Sequence, residues 1–331
     1  MSGAIVPATP DAIAQAAALL RDGLLVAFPT ETVYGLGADA TDAAAVRRIF
    51  AAKGRPADHP VIVHLAHAGL LAAWVRDVPA AARTLAAAFW PGPLTLILPR
   101  APGVLDVVTG GQDSVGVRVP AHPVARALLD AFGGGIAAPS ANRFGHVSPT
   151  TAAHVAADLG ERPALILDGG ACDVGIESTI VAFRGDEPIL LRPGGIGVAA
   201  LTRVLQRAPI SADGTAPRAS GTLASHYAPH TPATLLAPDL LRAEVVQLTE
   251  RDEAVAVLAR TLSAPDDFDG AWITAAHDPA HYAHGLYANL RALDAANADA
   301  LLIEDVPQNA DWLAVRDRLL RATHGEDDDR N

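Results

Sequence analysis

The chain of 331 residues is short of several things, and each shortage excludes something. A single cysteine, Cys172, rules out an internal disulfide framework and a multi-cysteine zinc site. No run of about 18 uninterrupted apolar residues is available for a membrane-spanning helix. The first residues, MSGAIVPATPDA, have neither the basic start nor the apolar stretch of a secretory signal, so the expected address is cytoplasmic. Aromatic residues make up 5% of the chain, and an alanine-rich apolar share of 50% against 19% charged residues excludes disorder and favours helix. There is no GxxxxGK[ST] and hence no P-loop, and no GxSxG and hence no hydrolase elbow. Lysine is nearly missing: Lys53 is the one lysine among 25 basic residues. A lysine kept where arginine has replaced every other cation suggests a place that needs a compact ammonium, although one basic residue had to be the last of its kind.

The net charge of −12 is unevenly spread. Residues 1–207 hold 16 basic and 17 acidic residues, whereas residues 208–331 hold 9 and 20. No general basic field is available for nucleic acid, so phosphate handling is expected to be local and to lie in the balanced N-terminal part.

Hydrophobic periodicity predicts helices over 11–22, 42–52, 68–75, 79–89, 122–132, 151–159 and 197–206. Strands are predicted at 24–29, 61–65, 94–99, 114–120, 136–138, 164–168, 178–183 and 188–191. Strands outnumber the helices between them and several adjoin directly, which implies an α/β domain with a mixed sheet and helices packed on it. Residues 208–232, rich in Pro, Ser, Gly and Ala, read as a linker. Beyond it, strand-like runs at 233–237, 244–248, 254–258, 271–275 and 300–304 alternate with helices at 279–293 and 310–322, as in a smaller parallel α/β domain. The expected division is therefore 1–207, 208–232 and 233–331.

Several motifs carry chemistry. PTETVYGLG (29–37) sets Thr30, Glu31 and Thr32 directly after a buried strand, where sites sit in open α/β sheets and where plain turns also occur. Gly35-x-Gly37-x-x-Ala40 matches a dinucleotide fingerprint weakly and reads as turn chemistry. KGRPADHP (53–60) pairs the compact Lys53 ammonium with the forked Arg55 guanidinium, a plausible triphosphate clamp. PSAN (139–142), FGHVSPT (144–150), GIESTIV (175–181) and LRPGGIG (191–197) place small hydroxyl groups and Arg192 on tight turns suited to phosphate, and ordinary capping explains some of them as well. Cys172 has no basic partner in sequence and reads as a structural thiol. His277, His281 and His284 have helical spacing, but Asp278-Pro279 reads as a helix start that leaves His277 outside, against a metal site.

The order PTETVYGLG, KGRP, HPVIVH, WPGPLT, VGVRVP, PSAN, VSPT, GIESTIV, LRPG resembles the YrdC-like family, in particular the L-threonylcarbamoyladenylate synthases. HYAP (226–229) and the trailing domain resemble their long, two-domain form. The resemblance implies a YrdC-like mixed twisted sheet followed by a Rossmann-like domain. It also implies a nucleotidyltransferase that makes threonylcarbamoyl-AMP and pyrophosphate from L-threonine, bicarbonate or CO₂, and ATP with Mg²⁺. The product would pass to a tRNA threonylcarbamoyltransferase, with no tight nucleic-acid binding by this chain. By similarity Thr30, His64, Arg118 and Ser178 would hold L-threonine. Lys53, Arg55, Ser114, Ser140, Asn142, Ser148 and Arg192 would surround ATP, Lys53 and Arg55 as the catalytic cations, with Tyr227 folding over the nucleotide. The linker departs from the family pattern, reading SGTLASHYAP (220–229) where PGMKYRHYAP is usual. Two other readings compete: a carbamoyl-AMP-forming carbamoyltransfer enzyme, whose acylphosphatase-like and zinc-finger segments are not seen here, and a double-stranded RNA binder.

Overall fold

The computed structural model describes residues 3–324 apart from Ala224. The chain divides into two compact units. The first runs to Phe144 and resumes over Ser148–Thr222; the second takes Gly145–Val147 and the chain from Leu223 onward. The division thus falls inside the segment expected to be a linker.

The first unit contains, in chain order, β1 (Ala4–Pro7), α1 (Pro10–Arg21), β2 (Val26–Phe28), β3 (Gly35–Asp39), α2 (Ala43–Lys53), β4 (Ile62–His64), α3 (Ala80–Phe89) and β5 (Leu94–Pro99). It continues with α4 (Asp106–Thr109), β6 (Ser114–Arg118), α5 (Pro123–Phe132), β7 (Ile136–Ala137), α6 (Ala152–Leu159), β8 (Leu165–Asp168), β9 (Thr179–Arg184), β10 (Glu187–Arg192), α7 (Val198–Leu205) and β11 (Ile210–Ser211). All eleven strands form one mixed sheet, in the order β1-β8-β2-β3-β7-β4-β6-β5-β9-β10-β11.

The period of two along each strand decides which face meets which helices. Ala27, Val63, Leu94, Leu96 and Ile166 point into one core with Ile49 and Phe50 of α2, Leu85 of α3, Val155 of α6 and Leu201 of α7. Val26, Phe28, Leu165 and Leu167 point the other way, into a cluster with Leu20 of α1 and Leu128 of α5. Farther along this second face Ile62, Ile97, Ile180 and Ile189 cluster together, and Ala219 of a loop packs on them. The site grows on this part of the sheet.

Local rules explain the helix ends. Asp42 Oδ1 accepts the Ala44 N–H at 2.7 Å and caps α2. Gly54, with φ of 66°, ends it in the left-handed conformation that glycine takes without steric cost. The Gly35-x-Gly37 pair is neither a phosphate loop nor a turn. It lies in β3, and a Cβ on Gly37 would stand 2.8 Å from the Phe28 ring and 2.9 Å from Ile136.

The second unit contains β12 (Ala233–Leu236), α8 (Pro238–Thr249), β13 (Val255–Ala259), β14 (Ala271–Thr274), α9 (Pro279–Asp294), β15 (Ala300–Glu304) and α10 (Leu313–Ala322). Its four strands are parallel, in the order β12-β15-β13-β14. The run 244–248, expected as strand, belongs to α8. Leu241, Val245 and Leu248, at helical spacing, are its buried residues. At the C-terminal edge of the sheet, Glu304 Oε2 accepts the N–H groups of Arg260 at 2.7 Å, Thr261 at 2.8 Å and Leu262 at 3.2 Å. A concave row of backbone donors of this kind suits an anion, and here the chain's own carboxylate fills it. Asp278 caps α9 through the His281 N–H at 3.0 Å, with His277 outside the helix.

Candidate active site

Register places the site residues. β4 and β6 pair with His64 opposite Arg118, and β5 and β9 pair with Thr95 opposite Ile180. Alternation then puts His64 with Ile62, Arg118 with Gly116, Thr95 with Ile97 and Ser178 with Ile180, all on the face that α1 and α5 leave uncovered. The loop 29–34, leaving β2, supplies Thr30, Glu31 and Thr32, all buried.

Arg118 is held by three directions. Its Nη1 donates to Thr32 Oγ1 at 2.9 Å, its Nε donates to Gly92 O at 3.3 Å, and its Nη2 lies 2.7 Å from Glu31 Oε1. Thr30 gives its hydroxyl proton to Val33 O at 2.7 Å, so the 2.8 Å bond between Thr30 and Thr32 has Thr32 as donor. Glu31 Oε2 accepts the Ala121 N–H at 3.0 Å. Burial raises the Glu31 pKa, but the Arg118 guanidinium beside it outweighs this and holds the carboxyl below its usual range. His64 is pushed down to about 3 by burial and then by the Arg118 charge, so its imidazole is neutral.

The Gly92-Pro93 turn joins this group to the next. Gly92 O receives Arg118, and Pro93 O receives the Thr179 N–H at 3.0 Å. Ser178 Oγ bonds Thr95 Oγ1 at 2.7 Å. Arg192, 3% exposed, donates from Nη2 to Ser178 O at 2.9 Å and from Nη1 to Ser220 O at 2.8 Å. Arg55 donates to Pro60 O at 2.8 Å, lies 3.5 Å from Ser220 Oγ, and carries its guanidinium over the Phe144 ring. Ser148 donates to Glu177 Oε1 at 2.6 Å.

Lys53 is not an exposed clamp. At 4% exposure in the last turn of α2, its Nζ donates to the carbonyls of Ser140 at 2.6 Å and Asn142 at 2.5 Å. Burial, and secondarily the Arg55 charge, hold its pKa well below the usual lysine range. The ammonium thus pins the PSAN loop, a job that a compact three-donor head performs and a planar guanidinium does not.

The structure therefore brings Thr30, His64 and Arg118 into one cluster, Ser178 with Arg192 and Arg55 into a second, and Lys53, Ser140 and Asn142 into a third. Ser114 opens β6 and shares no side-chain hydrogen bond with them. Tyr227 belongs to the second unit, where its buried ring stacks on Tyr287 at 5.6 Å beneath the Arg318 guanidinium. Sequence reading set Glu31 at a strand end suited to a site without giving it a role, and it passed over Thr95 and Glu177. Their signal was a polar residue inside or next to an apolar strand, which spacing alone does not separate from a turn.

Comparison with known proteins agrees with the motif order. The family pattern described as "Telomere recombination" matches residues 18–194, and that described as "Threonylcarbamoyl-AMP synthase, C-terminal domain" matches residues 196–324. The threonylcarbamoyl-AMP synthase of Bacillus subtilis is 42% identical over 95% of this chain and 93% of its own length. That of Pyrococcus abyssi is 41% identical, with 93% of each covered. The crystal structure of P. abyssi Sua5 complexed with L-threonine superposes with a TM-score of 0.88 at 39% identity, covering 97% of this chain and 96% of that one. With both family patterns in order along one chain and relatives matched almost end to end, the chain belongs to the threonylcarbamoyl-AMP synthase family in its two-domain form.

Proposed function

We infer that the protein makes threonylcarbamoyl-AMP and pyrophosphate from L-threonine, bicarbonate or CO₂, and ATP. The observation that carries this is the end-to-end likeness to two synthases of that name at 41–42% identity. The geometry supports it. A buried cluster of opposite charges around Arg118 suits a zwitterionic amino acid, and the cations Arg55 and Arg192 suit a polyphosphate.

The reaction needs a neutral amine to capture the carbon, and then a carbamate oxygen to displace pyrophosphate from the α-phosphorus. Positioning and charge neutralisation dominate such a step, and no side-chain nucleophile is required. Thr30, His64, Arg118 and Ser178 hold L-threonine in this reading. Arg55 and Arg192 face the phosphates, with Ser114 and Ser148 as further contacts. Lys53 acts by fixing the loop that presents Ser140 and Asn142 to the nucleotide. Mg²⁺ enters as the ATP complex: the nearby carboxylates are engaged, Glu31 with Arg118 and Ala121 and Glu177 with Ser148, and Mg²⁺ readily binds through substrate phosphates. The product would serve a tRNA threonylcarbamoyltransferase.

Pyrophosphate release with single omissions tests the reading. Release is expected only with ATP, L-threonine and bicarbonate together, and equal release without threonine would sink it.

A further inference from the structure

Burying opposite charges is costly unless hydrogen bonds are well aimed. The Arg118–Glu31 pair is buried yet poorly aimed. Arg118 Nη2 and Glu31 Oε1 stand 2.7 Å apart, but neither completes a directed hydrogen bond to any group among the described residues. The other atoms of both side chains are satisfied: Nη1 by Thr32, Nε by Gly92, and Oε2 by the Ala121 N–H. A third buried atom without a partner, His64 Nδ1, belongs to the residue opposite Arg118 in the β4–β6 register. The sheet face and the 29–34 loop thus bring together a cationic donor, an anionic acceptor and an uncharged imidazole nitrogen, each lacking an aimed partner. An α-amino acid with a side-chain hydroxyl offers the three complementary groups: a carboxylate, an ammonium and an alcohol.

We propose that Glu31 is the residue that receives the α-amino group of the substrate, and that it does so by exchange. The incoming carboxylate takes Arg118 Nη2, and the ammonium takes the Glu31 Oε1 that Arg118 had faced. Two misaimed charges are replaced by two aimed, charge-assisted contacts, and no buried charge is stranded at any stage. The exchange also makes the site selective for a zwitterion. An acid without the amine would claim Arg118 and leave the Glu31 carboxylate buried with Ala121 as its remaining partner. Once Arg118 turns to the substrate, what holds the Glu31 pKa down is weakened and burial pushes it up, so the same carboxylate is better able to share the ammonium proton.

The inference rests on L-threonine being the substrate. Its test is calorimetric binding of L-threonine and of 2,3-dihydroxybutanoate, which has a hydroxyl in place of the amine, to the full-length protein and to Glu31→Gln. The wild-type chain is expected to prefer threonine by on the order of tenfold to hundredfold, the worth of a hydrogen bond between charged groups. Glu31→Gln keeps an acceptor for Ala121 but loses the charge, and is expected to bring the two affinities within about threefold, a residue of neutral hydrogen bonding. A folded Glu31→Gln protein that keeps the wild-type preference overturns the proposal. Glu31→Asp keeps the charge one methylene farther back; it decides the matter if the glutamine variant does not fold, with a reduced preference expected and an unchanged one contrary. Wild-type protein that binds no threonine at all would overturn the substrate reading itself, an outcome visible before any variant is made.

Discussion

His64 shows what burial does to a single titratable group. Its imidazole sits on a fully covered stretch of β4 beside the Arg118 charge, with the Phe28 ring edge-on at 6.2 Å. Unfolded, it titrates near 6.5; folded, at about 3. Between those values the unfolded chain binds the extra proton, so stability must fall as pH drops through the window, by up to about 1.4 kcal/mol per pH unit. His64→Gln removes that linkage. Thermal melts of the two proteins between pH 7 and 4.5 should show a shallower acid loss in the variant, and parallel curves would mean that His64 is not held neutral. Lys53 illustrates how far a residue can be read without coordinates. Its isolation among arginines marked a position that wants an ammonium, but the partners of that ammonium, two backbone carbonyls 87 and 89 residues away, leave no trace in composition or spacing. Glu31 was visible as part of PTET, and its pairing with Arg118 becomes visible only when the sheet brings β2 and β6 to one face.

At the scale of elements, strand alternation was the most legible feature, because a two-residue period in apolar runs is both a local pattern and the packing rule. It is what aligns His64, Thr95, Arg118 and Ser178 on one face. Elements went astray where local preference and tertiary packing disagree. The run 244–248, with two adjacent valines, looks like strand, but the Leu241, Val245 and Leu248 stripe and the proline at the first turn make it the end of α8. The short β1 and β11 were invisible because pairing, not sequence, makes them strands. The turn after β10 gives a prediction that belongs to this scale. A Cβ on Gly194 would stand 2.4 Å from Thr179 N, 2.5 Å from Glu177 O and 2.5 Å from the Ser178 carbonyl carbon. All three are backbone atoms that cannot swing aside. Gly194→Ala must therefore push the start of β9 away, at a cost of about 1–3 kcal/mol for overpacking. Ser178, which Arg192 and Thr95 hold, moves with it. The variant is expected to melt lower and to bind L-threonine more weakly; a normal melt with normal binding would show that the turn yields without cost.

At the scale of the whole molecule, the segment 208–232 carries the main lesson about domain reading. Its lack of apolar period made it read as one linker between domains, yet its first fifteen residues belong to the first unit and its last ten to the second. The first part is bound largely through backbone atoms and single small side chains, which hydrophobic patterning does not register. Ile210–Ser211 forms β11 beside β10, and Ala219 enters the sheet core. Gln112 Oε1 accepts the Arg218 N–H at 2.8 Å, and Ser220 donates to Pro60 O at 2.7 Å while its carbonyl accepts Arg192. A boundary at 207 would thus cut through the first unit. Truncation tests this directly. A fragment ending at Thr222 keeps every one of these contacts, whereas a fragment ending at Arg207 strands the buried Arg192 Nη1 and uncovers the isoleucines that Ala219 packs against. An unsatisfied buried donor alone costs about 1–3 kcal/mol, and a unit of this size loses roughly 2–4 °C in Tm per kcal/mol. The shorter fragment should melt several degrees below the longer one, and Arg192→Ala should narrow the gap, because the cation that Ser220 satisfies is then gone from both. Equal melting of the two fragments would return residues 208–222 to the role of a tether.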